Sequence, residues 1–341
     1  MTPRYTTADF AYDAPPELIA QRPTPERGGS RLLVLDRTRP TGAHRQFTEF
    51  PELIRAGDVL VRNATKVLRA RLVGRRAGGA PAELLLVHPD ADGTWLAMVR
   101  PGTKLRPGRT VRFGDDAAAE IVAVADAGLR RVRFHGLTVD QVMDRYGTVP
   151  LPPYIDREAD PTDADRYQTV YATTPGSVAA PTAGLHFTPD LLERVRERGG
   201  TFVDVTLHVG PGTFTPVDVD DPAAHRMHTE WYEILPEAAK AVTDAKRDGR
   251  RVWAIGTTSA RVLESVGRSV VAGSGWTDLF IYPPYAFGVV DALLTNFHLP
   301  RSTLLMLVAA FAGYEATMAA YHDAVARRYR LYSYGDAMAI V

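Results

Sequence analysis

Between about residues 65 and 136 the apolar residues come in short runs, alternating or continuous, separated by Gly, Pro or Asp: VLRARLV, AELLLVH, TWLAMVR, TVRF, AEIVAVA and RRVRFHG. Runs of this length and spacing predict short strands pairing as a compact antiparallel sheet or barrel. The pattern differs on either side. Before it, RLLVLD and DVLVRN read as strands and PPELIAQ as a helix start; after it, TVDQVMDRY reads as a helix and TVPLPPYIDREADPTDADRYQT as a Pro- and Asp-rich connector. From about 170 onward the periodicity becomes mixed. TPDLLERVRERGG predicts a helix with Thr188 as N-cap and Gly199 and Gly200 as its stop, followed by the strand TFVDVTLHV. A second unit repeats that order: helix PEAAKAVTDAKRDG, strand RRVWAIGTTS, helix ARVLESVGRS, with LLTNFHLPRSTLL giving a polar break and Pro300 opening a further helix. The repetition raises an internal duplication. The expected fold class is mixed α/β (α+β): a discontinuous α/β main domain of residues 1–64 and 137–341 with a small antiparallel β-barrel-like domain, 65–136, inserted in it.

Composition narrows the class. With 341 residues and 45% apolar content the chain can bury a full core and fill two domains. The opening MTPRYTTADF lacks an apolar secretion segment, and no run approaches the roughly 18 apolar residues of a membrane span. A cytoplasmic, membrane-free, monomeric protein is expected. Without cysteine there are no disulfides, thiolate metal ligands or thiol nucleophiles. Net charge is zero, yet residues 62–112 carry eleven Lys and Arg against three carboxylates, a local excess of eight. Such a stretch is either a solvated face or a surface for a phosphate backbone.

The polar loops fall where strands end. VAAPTAGLHF packs Pro181, Thr182, Gly184 and His186 into one turn, and TLHVGPGTF follows a strand with His208 and then Gly210, Gly212 and Thr213. Glycines there let the backbone approach a ligand or form an anion-binding nest. AIGTTSARVLES places Gly256, Thr257 and Thr258 at a helix start, where hydroxyls cap the first amides or the amides receive an anion. HRMHTEWYE carries His225, His228 and Glu230, but neither HExxH nor a third well-placed ligand, which favours acid/base work over metal. No phosphate-binding P-loop and no dinucleotide GxGxxG occurs.

Taken together, ADFAYDAPPELIAQRPTPERGGSRLLVLD, AAPTAGLHFT, VTLHVGPGTFTPV, HRMHTEWYE, GTTSARVLES, TDLFIYPPYAF, DALLTNFHLPRSTLLMLVAAFAG and YSYGDAMAI resemble, in order from about residue 8 to the end, the S-adenosylmethionine:tRNA ribosyltransferase-isomerase family of queuosine biosynthesis. The resemblance implies transfer of the ribosyl part of S-adenosylmethionine onto 7-aminomethyl-7-deazaguanine at the tRNA wobble position. Epoxyqueuosine-tRNA, adenine and methionine would be the products, S-adenosylmethionine the co-substrate and tRNA the partner, with no metal and no separate cofactor. Its chemistry needs a base for the protons beside the sulfonium, an acid for departing adenine and a shielded pocket. His208, His228, Glu230 and His186 are the candidates in that order, with base and acid unassigned. The Gly256–Thr258 turn suits the methionine carboxylate, and Asp278 or Asp336 the ammonium. Asn63, Thr65, Arg100, Thr182, Gly184, Gly210, Gly212, Thr213, Tyr282, Asn296 and His298 complete the substrate-facing set, and Arg62, Lys66, Arg69, Arg71, Arg75, Arg76, Lys104 and Arg106 the tRNA surface. The chain departs from the family in VRNATKV, where Ala64 replaces the aspartate of Asn-Asp-Thr, and in Thr229 of TEWY, where serine is usual. The first departure leaves a paralogue acting on a small 7-deazapurine as an alternative. A silent tRNA- or S-adenosylmethionine-binding protein, or a methyltransferase that would leave adenine attached, are the others.

Overall fold

The computed structural model describes residues 5–38, 42–90, 92–210 and 217–341. Nine strands form the main sheet in the order Gly273–Thr277, Glu230–Ile234, Thr201–Leu207, Val59–Asn63, Val252–Ile255, Ala292–Asn296, Ala337–Ile340, Arg31–Leu35 and Ala43–Gln46. The four from Thr201–Leu207 to Ala292–Asn296 run parallel. Their continuous apolar runs have a simple cause: the sheet is covered on both faces, so consecutive side chains enter alternate cores. Leu33, Val59, Val61, Val252, Ala254, Leu293 and Met338 enter one, shared with helices Pro236–Arg247, Thr257–Ser265, Thr303–Ala312 and Tyr314–Ala326. Leu32, Leu60, Trp253, Ile255, Leu294 and Ala339 enter the other, under helix Pro189–Glu197 and the 3-10 segment Phe47–Leu53.

Local chemistry sets the element ends. Thr188 Oγ1 accepts the Leu191 amide at 3.2 Å, Pro189 opens that helix, and Gly199 turns the chain at φ 84° before the next strand. The helix expected to open at Pro300 begins instead at Thr303, because Ser302 supplies the capping oxygen, 3.2 Å from the Leu305 amide, that a proline lacks. PPELIAQ yields a single 3-10 turn, Pro16–Leu18. The two helix-strand units are not a repeat in space. Their strands flank Val59–Asn63 on either side, but Leu191 and Val195 pack in one core while Ala238 and Val242 pack in the other.

Arg71–Arg76, Pro81–Pro89, Trp95–Arg100, Arg130–His135, Ala117–Val124 and Thr110–Phe113 form an antiparallel barrel closed by the Arg75–Arg112 and Arg76–Val111 pairings. Leu72, Leu84, Ala97, Val111, Ala119 and Val132 fill it, and helix Val139–Tyr146 covers one side through Val142 and Met143. Gly74 allows the closure, since a Cβ there would lie 2.5 Å from the Arg112 carbonyl oxygen. Thr65–Val67 pairs in parallel with Thr174–Ser177 outside the barrel, while Gly147–Thr148 adds to the barrel strand Arg71–Arg76. No single helix among the described residues is long and apolar enough to cross a membrane; Thr303–Ala312 and Tyr314–Ala326 meet at a 117° bend and bury Leu305, Met306, Val308 and Tyr321 in the core.

Asp58, 2% exposed, pins the start of the central strand. Its carboxylate accepts from Arg251 Nη2 at 2.5 Å, Trp253 Nε1 at 3.0 Å and the Arg55 amide at 3.0 Å. Asp58→Ala strands a part-buried guanidinium and an indole N–H, and is expected to lower unfolding free energy by about 3–5 kcal/mol in urea denaturation.

Candidate active site

In an open parallel sheet ligands bind beyond the carboxyl ends of the strands, and here four strand ends converge. Asn63 ends the central strand fully buried. Its Nδ2 donates to Leu207 O at 3.0 Å, and its Oδ1 accepts the Leu207 amide and the Thr65 amide, each at 3.1 Å. One side chain thus ties two strand ends and turns the chain into Thr65. Thr65 Oγ1 in turn lies 2.8 Å from His208 Nδ1. The His208 ring stacks on Trp231, centroids 5.1 Å apart, and Gly176, without a side chain, leaves the Nε2 edge clear, where a Cβ would come within 2.5 Å of Nε2. Partial burial lowers the His208 pKa from the ordinary histidine value. The imidazole is therefore neutral at pH 7, with Nε2 left to exchange a proton.

Ala179–Ala183, Val209, Gly256–Thr258, Thr295–Leu299, Tyr332 and Ser333 line a narrow cleft of about 50 Å³, which includes the chain neighbour of His208 but not His208 itself. Helix Thr257–Ser265 points its N-terminus there. The hydroxyls expected to cap it do not: Ser259 Oγ donates back to Ile255 O at 2.9 Å, the N-cap Gly256 at φ 93° offers no side chain, and Thr258 Oγ1 has no partner. Uncapped amides and an unused hydroxyl suit an anion. Asn296 donates to Tyr332 O at 3.1 Å and to His186 Nε2 at 3.3 Å, leaving its Oδ1 unpartnered. The proton on His186 then sits on Nδ1, 2.7 Å from Ser30 Oγ. Burial drives His186 down to about 4 and His298, bonded to Thr295 Oγ1 at 2.7 Å, down to about 3. Both rings are neutral, with His186 wedged against Phe47.

Glu230 lies on the opposite face of the sheet from His208, as the alternation from Trp231 dictates. It is 5% exposed, accepts the Gly210 amide at 2.8 Å and pairs with Arg261, which also donates to Leu279 O at 3.2 Å. Arg261, which sequence reasoning passed over, sits inside GTTSARVLES; a buried arginine on an otherwise apolar helix face was the available signal. His228 is exposed, and the pKa of the nearby His225 is lowered chiefly by burial. Tyr282 packs on Phe280, which meets the His225 ring, and Asp278 is exposed just beyond strand Gly273–Thr277.

The remaining positions scatter. Thr182 lines the cleft, whereas Gly184 sits against Tyr171, whose hydroxyl would lie 2.1 Å from a Cβ. Asp336 is 2% exposed and accepts from the amides of Arg31 and Arg330 and from Arg31 Nε, away from the cleft. Arg100 is exposed on the barrel; Gly212 and Thr213 lie outside the described residues. Among the basic residues, Arg62 is bound to Asp204 at 2.5 Å and stacked on Tyr171, Arg69 holds Asp144 O and Gly147 O at the end of helix Val139–Tyr146, and Arg71 pairs with Glu83. Arg75, Arg76 and Arg106 bond only nearby carbonyls, and Lys66 and Lys104 are exposed. Among the described residues no three His, Asp or Glu are grouped to hold a metal ion.

Residues 7–340 match the family model described as queuosine biosynthesis protein. The chain belongs to the queuosine biosynthesis protein family. Its similar proteins include an S-adenosylmethionine:tRNA ribosyltransferase-isomerase of Heliobacterium modesticaldum, 50% identical over 97% of this chain and 98% of that one, and one of Symbiobacterium thermophilum, 51% identical over 98% and 99%. Among solved structures, that of S-adenosylmethionine tRNA ribosyltransferase from Thermotoga maritima is similar with a TM-score of 0.56 and 38% identity, covering 98% of this chain and all of that one. For a queuosine biosynthesis family member the departure at Ala64 falls in a tight place. Ala64 is 3% exposed, its amide donates to Val205 O and its carbonyl accepts from Thr173 and Thr174.

The two buried histidines of this site make stability depend on pH. Below pH 6.5 an unfolded chain protonates them, while the folded state keeps His186 neutral to about 4 and His298 to about 3. Stability is therefore expected to fall as pH drops from about 6.5, by about 1.4 kcal/mol per pH unit for each histidine until its folded value is reached. Urea denaturation between pH 7 and 5 measures it, and His298→Gln should flatten the slope.

Proposed function

We propose that this protein transfers and isomerises the ribosyl part of S-adenosylmethionine onto the aminomethyl group of 7-aminomethyl-7-deazaguanine in the wobble position of tRNA, releasing adenine and methionine and leaving epoxyqueuosine. In this reading it acts in the cytoplasm as a monomer, with S-adenosylmethionine as co-substrate and no separate cofactor. The observation that carries it is His208, neutral, half-buried and fixed by Thr65 at the convergence of the parallel strand ends, in a chain whose whole length matches the family.

The sulfonium of the donor acidifies the adjacent C5′ hydrogens, and a neutral imidazole is the group to remove one at pH 7. His208 Nε2 does so, with Thr65 and the Trp231 ring holding its orientation. The uncapped amides of Thr257 and Thr258 with the free Thr258 hydroxyl receive the methionine carboxylate. Asn296, with its unpartnered Oδ1, offers an acceptor to the donor's ammonium or ribose. Glu230 serves as an anchor: bound to Arg261 and to the Gly210 amide, it fixes the chain immediately after His208. His186, bonded at both ring nitrogens, holds Asn296 of the cleft in place, and His298, bonded to Thr295, lines it, so both serve structure rather than proton exchange. The exposed cations Lys66, Arg75, Lys104 and Arg106, with the partly buried Arg76, supply the phosphate-facing charge, so tRNA affinity should weaken steeply with salt.

Incubation with S-adenosylmethionine and tRNA bearing 7-aminomethyl-7-deazaguanine, followed by chromatography and nucleoside mass spectrometry, tests the reading. Free adenine with an epoxycyclopentane-bearing base supports it; S-adenosylhomocysteine, or no adenine, overturns it. Because burial lowers the His208 pKa, activity should hold through the pH range in which an ordinary histidine protonates and decline only at more acid pH. His208→Gln should cost about a hundredfold or more in kcat and abolish that acid limb in the pH profile of kcat/KM.

A further inference from the structure

A second cavity, of about 570 Å³, lies between the outer face of the barrel and the proline-rich connector. That volume falls in the range of sites that enclose a nucleotide-sized ligand. Leu85 and Met98, in register on neighbouring barrel strands, form one wall, and Pro152 and Pro153 lie in another. Flat apolar walls of this kind suit a planar base. The charged lining comes from Arg71, Glu83 and Arg100 on the barrel and from Asp156, Arg157 and Glu158 on the connector, where Arg157 is already bound to Asp163. Arg71 Nη2 donates to Glu83 Oε2 at 2.9 Å, with both side chains about three-quarters buried or slightly less. Arg71 Nε is buried and has no partner. Arg100 stands directly opposite Glu83 in the strand register and makes no ion pair among the described residues.

We propose that this cavity binds the guanine-type edge of the acceptor nucleoside, an inference that rests on the tRNA reading above. Side by side, the Arg71 guanidinium and the Glu83 carboxylate present a donor followed by acceptors. The Watson–Crick edge of guanine presents the complement: the O6 acceptor, then the N1–H and N2–H donors. A 7-deazaguanine keeps that edge unchanged, whereas adenine offers a donor where O6 stands and an acceptor at N1, and meets both protein groups with the wrong polarity. Single-stranded RNA is read in this way, by unstacked bases laid against flat side chains and bonded along their edges. Arg100, at the open rim, is placed for the nucleotide's phosphate. Gripping the Watson–Crick edge leaves the far edge of the base, which carries C7 and its aminomethyl group, free for chemistry. Val178, in the cavity lining, directly precedes Ala179–Ala183 of the narrow cleft, so the two spaces are neighbours along one chain segment.

Calorimetric titration of the full-length protein with GMP and with AMP tests the proposal. GMP should bind at least tenfold more tightly, Glu83→Gln should erase that preference, and Met98→Trp, which fills the cavity from a position 41% exposed, should weaken GMP binding and raise the KM for tRNA at least tenfold without changing S-adenosylmethionine affinity. Equal binding of GMP and AMP, or an unchanged tRNA KM in Met98→Trp, overturns it. Adenine release by the wild-type protein is scored separately: its absence sinks the ribosyl-transfer reading, while a GMP preference lost in Glu83→Gln would still identify the guanine site.

Discussion

A sheet covered on both faces has only its strand ends to offer a ligand, and this constraint governs the rest of the molecule. Apolar burial on both sides consumes Val59, Leu60 and Val61 of the central strand and all of Val252–Ile255, leaving the polar Arg62 and Asn63 at the carboxyl end of the central strand. There the backbone must leave the sheet, and its freed polar groups must be satisfied. Asn63 meets that demand, closing three hydrogen bonds across two strands with one buried amide. At roughly 1 kcal/mol net apiece, those bonds are comparable to the folding margin of many domains' weakest elements, and losing them would leave buried groups unsatisfied at greater cost. The same amide sets where Thr65 stands, and Thr65 sets the histidine.

Burial then sorts the titratable groups. His186 and His298 are so enclosed that they remain neutral through the physiological range, while His208 keeps enough exposure for a ligand to approach and enough burial to stay uncharged. The carboxylates divide differently. Glu230 and Asp58 are compensated by arginines and backbone amides and hold structure in place. Side chains that look like equivalent acid/base candidates in a sequence are separated by the dielectric around them and by the partners already claiming their lone pairs.

Legibility followed the periodicity. The barrel strands were readable because their faces differ, one filling the barrel and one facing outward, so that Leu72 follows Arg71, Leu84 follows Glu83 and Val132 sits between Arg131 and Arg133. The central strands were readable as strands, but their partners were not, since continuous apolar runs carry no register. Within the site, the turns bearing His186, His208, Gly256 and Asn296 were recognisable as polar breaks, and they do converge at strand ends. What was hidden depends on side-chain direction. His208 and Glu230 read as one constellation, yet the pairing of His208 with Trp231 puts them on opposite faces. Arg261 and Glu83 drew no reading as site residues, because a partner on another element leaves no mark on the local pattern.

The turn VAAPTAGLHF explains why so many small and polar residues cluster there. Val178 faces the barrel-side cavity while Ala179 to Ala183 line the cleft at the strand ends, and Tyr154 and Ile155 of the connector divide in the same way. Small residues in the turn keep the narrow cleft open. The turn must also be held rigid from behind. Gly184 lets the chain press against Tyr171, and His186 bonds Ser30 and Asn296 from two sides of the sheet's end. Bulkier residues at Ala179 to Ala183 would narrow the cleft, and a bulkier residue at Val178 would narrow the barrel-side cavity, so the segment's composition is constrained by both.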